Sequence, residues 1–161
     1  MKIIDIRAMR LTVPPHEFKT PARRDSWWKT AEVANPMSRY PKVKAHRNLW
    51  LPKWEACWCK VTLEDGTWGI GQTSNGRVSA AIIDDHLAPQ LIGEDVLASE
   101  KLADMMFRLT KPYGSMGLAS YAVSAIDLAL WDARGKLFEK PVYQLLGGPQ
   151  KDRLFCYATG N

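Results

Sequence analysis

A chain of 161 residues can hold one domain with a real core, or one domain and part of another. Its 46% hydrophobic and 24% charged residues exclude a disordered chain, and no apolar run reaches membrane-spanning length. The net charge of +5 is mild, and although basic residues gather at 19–24 and 42–47 among aromatics, they match no nucleic-acid-binding motif. A basic lining for a small carboxylate or phosphate compound explains the same residues with less.

The three cysteines, Cys57, Cys59 and Cys156, show no repeated spacing, which argues against a disulfide framework. Cys57 and Cys59 stand two apart on an expected strand and share one face. No further ligand is spaced to complete a metal site with them, so they read as small buried side chains in a reducing compartment. Met1-Lys2 leads directly into a strand-like pattern rather than a signal peptide, and the chain reads as cytoplasmic.

Residues 3–13 alternate imperfectly, with Ile4, Ile6 and Ala8 on one side and Asp5 and Arg7 on the other, which predicts a strand ended by Pro14-Pro15. From there to about Pro52 no period is sustained. A segment of this length in a compact domain is usually a functional lid or binding loop. Arg23, Arg24, Arg39 and Arg47 can supply paired donors to a carboxylate or to vicinal hydroxyls, and Trp27 and Trp28 can wall off solvent. Solvated arginines and tryptophans that merely pack the loop account for these residue types equally well.

Residues 56–63 predict a second strand, and Glu64-Asp65-Gly66-Thr67 a hairpin turn with the Asp-Gly signal. Residues 68–72 return as the partner strand, where Gly69 and Gly71 point to close backbone approach or twist. The pattern then becomes helical. Val78, Ile82/Ile83 and Leu87 mark a first helix ended by Pro89. Residues 96–109 mark a second, with Leu97, Leu102, Met105/Met106 and Leu109 as its apolar face. After a loop at 113–117, Leu118, Ala122, Ala125/Ile126, Ala129, Ala133 and Leu137 recur along a third, where Asp132 and Lys136 are spaced for an ion pair. Pro141 interrupts it, a short apolar run follows, and Gly147-Gly148-Pro149 is a strong stop. Residues 154–161 read as a buried strand opening a second domain. Strands followed by helices make the fold class α+β: a three-stranded antiparallel meander and then a helical bundle.

The residues offer little independent chemistry. His16, His46 and His86 have no spaced partners, and no Ser or Cys sits in a nucleophile motif. Asp84-Asp85, Asp127 and Asp132 lie on helices; Asp127 and Asp132 are too far around the helix to share a face, so helix-surface or hydrogen-bonding roles are expected. The glycines form no phosphate-binding fingerprint.

One stretch is more specific. Residues 122–148, AVSAIDLALWDARGKLFEKPVYQLLGG, resemble the signature of the mandelate racemase and muconate-lactonizing branch of the enolase superfamily. The order of strand, long loop, hairpin and helices is similar to that family's N-terminal capping domain. Residues 34–40 (ANPMSRY), Arg47 and residues 155–160 (FCYATG) most resemble its acid-sugar dehydratases of the rhamnonate type.

The resemblance implies a capping domain over 1–148 and, at 149–161, a linker and first strand of a (β/α) barrel that this chain lacks. It also implies a Mg2+-dependent hydro-lyase whose metal ligands and acid/base residues lie in that barrel, so no residue here is catalytic by carry-over and the chain is expected to be inactive alone. Carried over, Arg47 matches the loop arginine that reaches the substrate. His16 matches a family histidine only if the loop is realigned, and Trp28 and Arg24 stand as loop walls. The implied partner is a small acid sugar, bound by a homo-oligomer, with no nucleic acid and no membrane. Lyxonate-type dehydration, racemisation, cycloisomerisation and a non-catalytic homologue are the alternatives on the same scaffold.

Overall fold

The computed structural model describes residues 1–9, 36–44 and 55–157. The chain divides into two compact units, one built from residues 1–12 and 54–152, the other from residues 13–53 and 153–161.

The first unit opens on β1 (Ile3–Met9). In the second, a turn closed by the Tyr40 N–H donating to the Met37 carbonyl (3.0 Å) precedes α1 (Pro41–Lys44). Back in the first unit, β2 (Cys57–Leu63) and β3 (Trp68–Thr73) complete a sheet of order β1-β2-β3, antiparallel throughout. Gly66 adopts φ +86° in the connecting turn, and the Asp65 carboxylate takes both the Thr67 N–H and its hydroxyl at 2.9 Å.

β2 alternates as expected: Cys57, Cys59, Val61 and Leu63 are fully buried while Trp58, Lys60 and Thr62 face the other way. β1 departs from the expected phase. Ile3 and Ile6 are buried and Ile4 is 52% exposed, because a bulge between Ile3 and Asp5 adds one residue against β2. Such an insertion resets which side chains point inward.

Both sheet edges are occupied. Along β1, the Ile3 N–H donates to the Glu94 carbonyl (3.0 Å), its carbonyl accepts from Gly93 (2.8 Å), and Lys2 bridges Asp95. Along β3, the Asp132 carboxylate accepts the Ile70 N–H at 2.9 Å. Unpaired edge groups are templates for wrong association, and these contacts pair several of them.

The helices cover the buried face of the sheet. α2 (Gly76–Ala81) runs into a π-helical turn over Ile82–Leu87 and then α3 (Ala88–Leu91). Pro89 therefore does not end the helix as expected: the wider π turn accommodates a residue without an N–H, and the chain stays helical to Leu91. α4 (Ser99–Thr110) starts later than expected. Leu97 precedes it and is exposed, while Leu102, Met106 and Thr110, four apart, make its buried edge. The Thr110 hydroxyl is satisfied by the Met106 and Phe107 carbonyls. A 3₁₀ turn (Lys111–Tyr113) leads to α5 (Leu118–Leu137), followed by α6 (Val142–Leu145).

α5 buries Ala122, Ala125, Ile126, Ala129, Leu130 and Ala133, and lies directly on β3. The fit is between two stripes without bulk. A Cβ at Gly69 would overlap the Ala129 carbonyl oxygen and the Ala133 nitrogen, and one at Gly71 would meet the Ala125 carbonyl and sit 2.8 Å from the Ala129 nitrogen. The expected ion pair forms, with Lys136 Nζ 2.7 Å from Asp132. The same ammonium lies 3.6 Å from the Trp68 ring centroid. Asp132 thus joins helix to strand edge. Asp132→Ala is expected to lower stability by about 1–2 kcal/mol and Lys136→Ala by less than about 1 kcal/mol, read by urea unfolding.

Pro141 caps α6, and Gly147 and Gly148 (φ +110° and +87°) stop it as expected. The strand expected over 154–161 is not formed in its described part. Residues 154–157 carry no ladder, and Leu154, Phe155 and Tyr157 are 75%, 94% and 78% exposed. A strand exists through its neighbours, and none of the described residues pairs with this one.

Candidate functional site

Arg47, His16, Trp28 and Arg24, the substrate-binding residues expected from sequence, lie outside the described residues, as do Arg23, Trp27 and His46. Arg39 is described, exposed in the turn before α1.

The described residues show where the chain leaves β1 and where it rejoins β2. Met9, where the chain leaves, pairs with Trp58, just after the chain returns. Antiparallel partners stand about 5 Å apart, so the described strands before and after residues 10–54 lie side by side. The exit is braced by Asp84, whose carboxylate accepts the Ala8 N–H at 2.6 Å. The return is braced by the Gly76 N–H donating to the Glu55 carbonyl at 2.7 Å, in a contact so close that a Cβ on Gly76 would lie 2.5 Å from that oxygen. Sequence reasoning placed Asp84 on a helix and missed this brace. Its only signal was an acidic doublet, and nothing local links it to a strand end 76 residues away.

Several other polar groups of the described residues have partners within the fold. Cys57 and Cys59 are buried as expected; burial and then the Asp84 charge raise the Cys57 thiol, and burial foremost pushes Cys59 up to about 12. Both thiols are thereby favoured in the neutral form near neutral pH. In the folded chain at pH 8, a colorimetric disulfide reagent should modify the exposed Cys156 at least about 100-fold faster than Cys57 or Cys59, and all three should react once urea is added. Equal rates in the folded chain would contradict this packing.

On α5, Arg134 is buried, stacks on Trp131 with its guanidinium carbon 4.7 Å from the ring centroid, and donates from Nε to the Val96 carbonyl at 2.6 Å. Its two terminal nitrogens have no hydrogen-bond partner. Burial lowers the Arg134 pKa and raises that of Asp127; each charge partly offsets the shift of the other. This is a helix–loop clamp rather than a reacting pair. Asp65 and Asp95 are held below the ordinary carboxylate range, chiefly by the Thr67 and Leu97 N–H groups respectively.

What the chain belongs to follows from comparison with known proteins. The profile of the mandelate racemase/muconate lactonizing enzyme N-terminal domain matches residues 51–147. This chain belongs to that family. The matched residues run from the return of the long segment through β2, β3 and α5 to the glycine stop, so the family signature is the scaffold described above.

Among individual relatives, an L-rhamnonate dehydratase of Saccharopolyspora erythraea is 41% identical over 160 residues, which is 99% of this chain and 40% of that protein. The crystal structure of a rhamnonate dehydratase from Gibberella zeae complexed with Mg superposes with TM-score 0.79 at 28% identity, over 93% of this chain and 37% of that one. A 3,6-anhydro-D-galactonate cycloisomerase from Zobellia galactanivorans has TM-score 0.57 at 40% identity, over 60% of this chain and 27% of that one. The chain thus spans about two fifths of the curated relative it matches.

The magnesium of this family finds no site among the described residues. No three His, Cys, Asp or Glu side chains of that set come together. Asp84, Asp132 and Asp95 each accept a backbone N–H, from Ala8, Ile70 and Leu97 respectively. Nor is any helix of the described residues long and apolar enough to cross a membrane.

Proposed function

We propose that this chain is the N-terminal part of a Mg2+-dependent acid-sugar dehydratase of the L-rhamnonate dehydratase type. Residues 1–148 form its capping domain and residues 149–161 lead into a (β/α) barrel carried by further chain. The observation behind this reading is the 41% identity with the Saccharopolyspora erythraea L-rhamnonate dehydratase, which runs over 160 residues and so includes the long segment as well as the scaffold. The reaction removes the proton beside the carboxylate and expels the β-hydroxyl, giving a 2-keto-3-deoxy sugar acid.

The chain's own share is recognition and exclusion of water. Segment 10–54, which joins β1 to β2 in sequence, supplies Arg47 as a paired donor to the acid sugar, with His16, Trp28 and Arg24 as further walls. A polar substrate needs such donors in a place closed to solvent, where they act most strongly. The protein works as a homo-oligomer in the cytoplasm, without nucleic acid or membrane as partner.

The test is a panel of acid sugars incubated with magnesium and the polypeptide carrying its barrel, with the 2-keto product measured by semicarbazide absorbance. L-Rhamnonate should be consumed fastest and the 161-residue chain alone should consume nothing. If no acid sugar loses water, the dehydratase reading is wrong. The Zobellia galactanivorans likeness favours one second reading, cycloisomerisation, which would show as conversion of 3,6-anhydro-D-galactonate without release of water.

A further inference from the structure

β3 ends at Thr73, and the chain turns into α2 through Ser74 and Asn75. Asn35 and Asn48 precede Pro36 and Leu49, whereas Asn75 precedes Gly76. An asparagine followed by glycine is open to one spontaneous reaction. The glycine nitrogen attacks the asparagine Cγ and loses its proton, ammonia leaves, and a five-membered succinimide forms. Water then opens that ring at either carbonyl, giving aspartate or isoaspartate. Glycine favours the attack because no side chain shields its nitrogen.

The fold holds this pair in the wrong geometry for ring closure. The Gly76 nitrogen would have to swing to the same side of the Asn75 Cα–C bond as Cβ. Asn75 instead sits in the left-handed region, φ +63° and ψ +43°, where that nitrogen points almost directly away from Cβ. Turning the Asn75–Gly76 peptide would pull the Gly76 N–H off the Glu55 carbonyl, 2.7 Å away. It would also pull the Asn75 carbonyl off the Val78 and Ser79 N–H groups, each at 3.1 Å. Gly76 itself is buried, with the Glu55 oxygen 2.5 Å from where a Cβ would stand. One residue earlier, the Ser74 carbonyl accepts the hydroxyl of fully buried Ser79 at 2.8 Å. The Asn75 side chain, by contrast, is half-buried and makes no capping hydrogen bond, so only the backbone restrains the reaction.

We propose that Asn75 is a deamidation site gated by the Glu55–Gly76 contact, unreactive while that contact is closed and reactive each time it opens. The gate is local: it needs the hydrogen bonds of this turn to part, not the sheet to unfold. The product makes an opening permanent. Aspartate and isoaspartate each add one negative charge. Isoaspartate also carries the main chain through the former side chain, one carbon longer, which takes the turn out of register with Glu55. The site is independent of the dehydratase reading, and its test involves no turnover.

The tryptic peptide 61–77 contains Asn75 as its sole asparagine, so peptide mapping by mass spectrometry reads this site alone. At pH 8 the folded 161-residue chain should deamidate at Asn75 at least about 20-fold more slowly than the same chain in guanidinium chloride. Ser79→Ala removes the hydroxyl that holds the Ser74 carbonyl. It should speed the folded reaction about fivefold, the effect of one lost hydrogen bond on the opening equilibrium, and leave the rate in guanidinium chloride unchanged. Should Ser79→Ala fail to fold, amide hydrogen exchange in the parent chain carries the test. The Gly76 amide should be protected by the same factor, within about threefold, as Asn75 is slowed. Equal deamidation rates in the folded and denatured chains would overturn the proposal, as would a Gly76 amide protected well beyond any slowing at Asn75. So would a well-folded Ser79→Ala chain that deamidates no faster than its parent.

Discussion

Gly69→Ala should destabilise the first unit by at least about 3 kcal/mol, more than an ordinary overpacking change. The reason is what surrounds the missing side chain. A Cβ there would overlap the Ala129 carbonyl oxygen and the Ala133 nitrogen, and would sit 2.9 Å from the Ala133 Cβ. Two of the three obstacles are helix backbone, which cannot swing aside as a side-chain tip can. Relief requires α5 to lift from β3, and that lift also strains the Asp132 bond to the Ile70 N–H.

The control is Gly66→Ala, in the hairpin turn, where the added carbon meets nothing within 4 Å but φ is +86°. Its cost should be about 1–2 kcal/mol and come from backbone conformation alone. Urea unfolding followed by circular dichroism separates the two. A Gly69→Ala chain within about 1 kcal/mol of its parent would mean that α5 and β3 are not in backbone contact.

That contact is also where sequence and structure agree most closely. Gly69 and Gly71 in a strand, and alanines at 122, 125, 129 and 133 on a helix, are two local patterns whose shared meaning is one tight interface. Cys57, Cys59, Val61 and Leu63 were equally legible, since alternation reports a half-buried strand without reference to anything distant. The Asp132–Lys136 pair followed from helix spacing, whereas the second partner of Asp132, the Ile70 N–H, did not. The misreadings share that cause. The bulge at Ile4 depends on register with β2, and the π-helical passage through Pro89 on packing beneath it. The Asp84 brace depends on a strand end far away in sequence. Local pattern gave the elements, and non-local hydrogen bonds decided their edges.

Segment 10–54 carries the second large effect, which rests on the dehydratase reading. The strands on either side are held by the Met9–Trp58 pairing and the Asp84 and Gly76 contacts, so a change at Arg47 should alter recognition while sparing that scaffold. In the polypeptide carrying its barrel, Arg47→Ala should lower kcat/KM for L-rhamnonate about 100-fold. That is the effect of deleting one partner of a desolvated charge-assisted pair, about 2.7 kcal/mol. Arg47→Lys should recover part of the loss through KM alone: the ammonium keeps the charge but cannot present two parallel donors. Thermal unfolding of the 161-residue chain should be the same for all three sequences. A kcat/KM within about twofold of the parent for Arg47→Ala would remove Arg47 from substrate recognition. A lowered unfolding temperature with the same kinetic loss would instead place Arg47 in the scaffold.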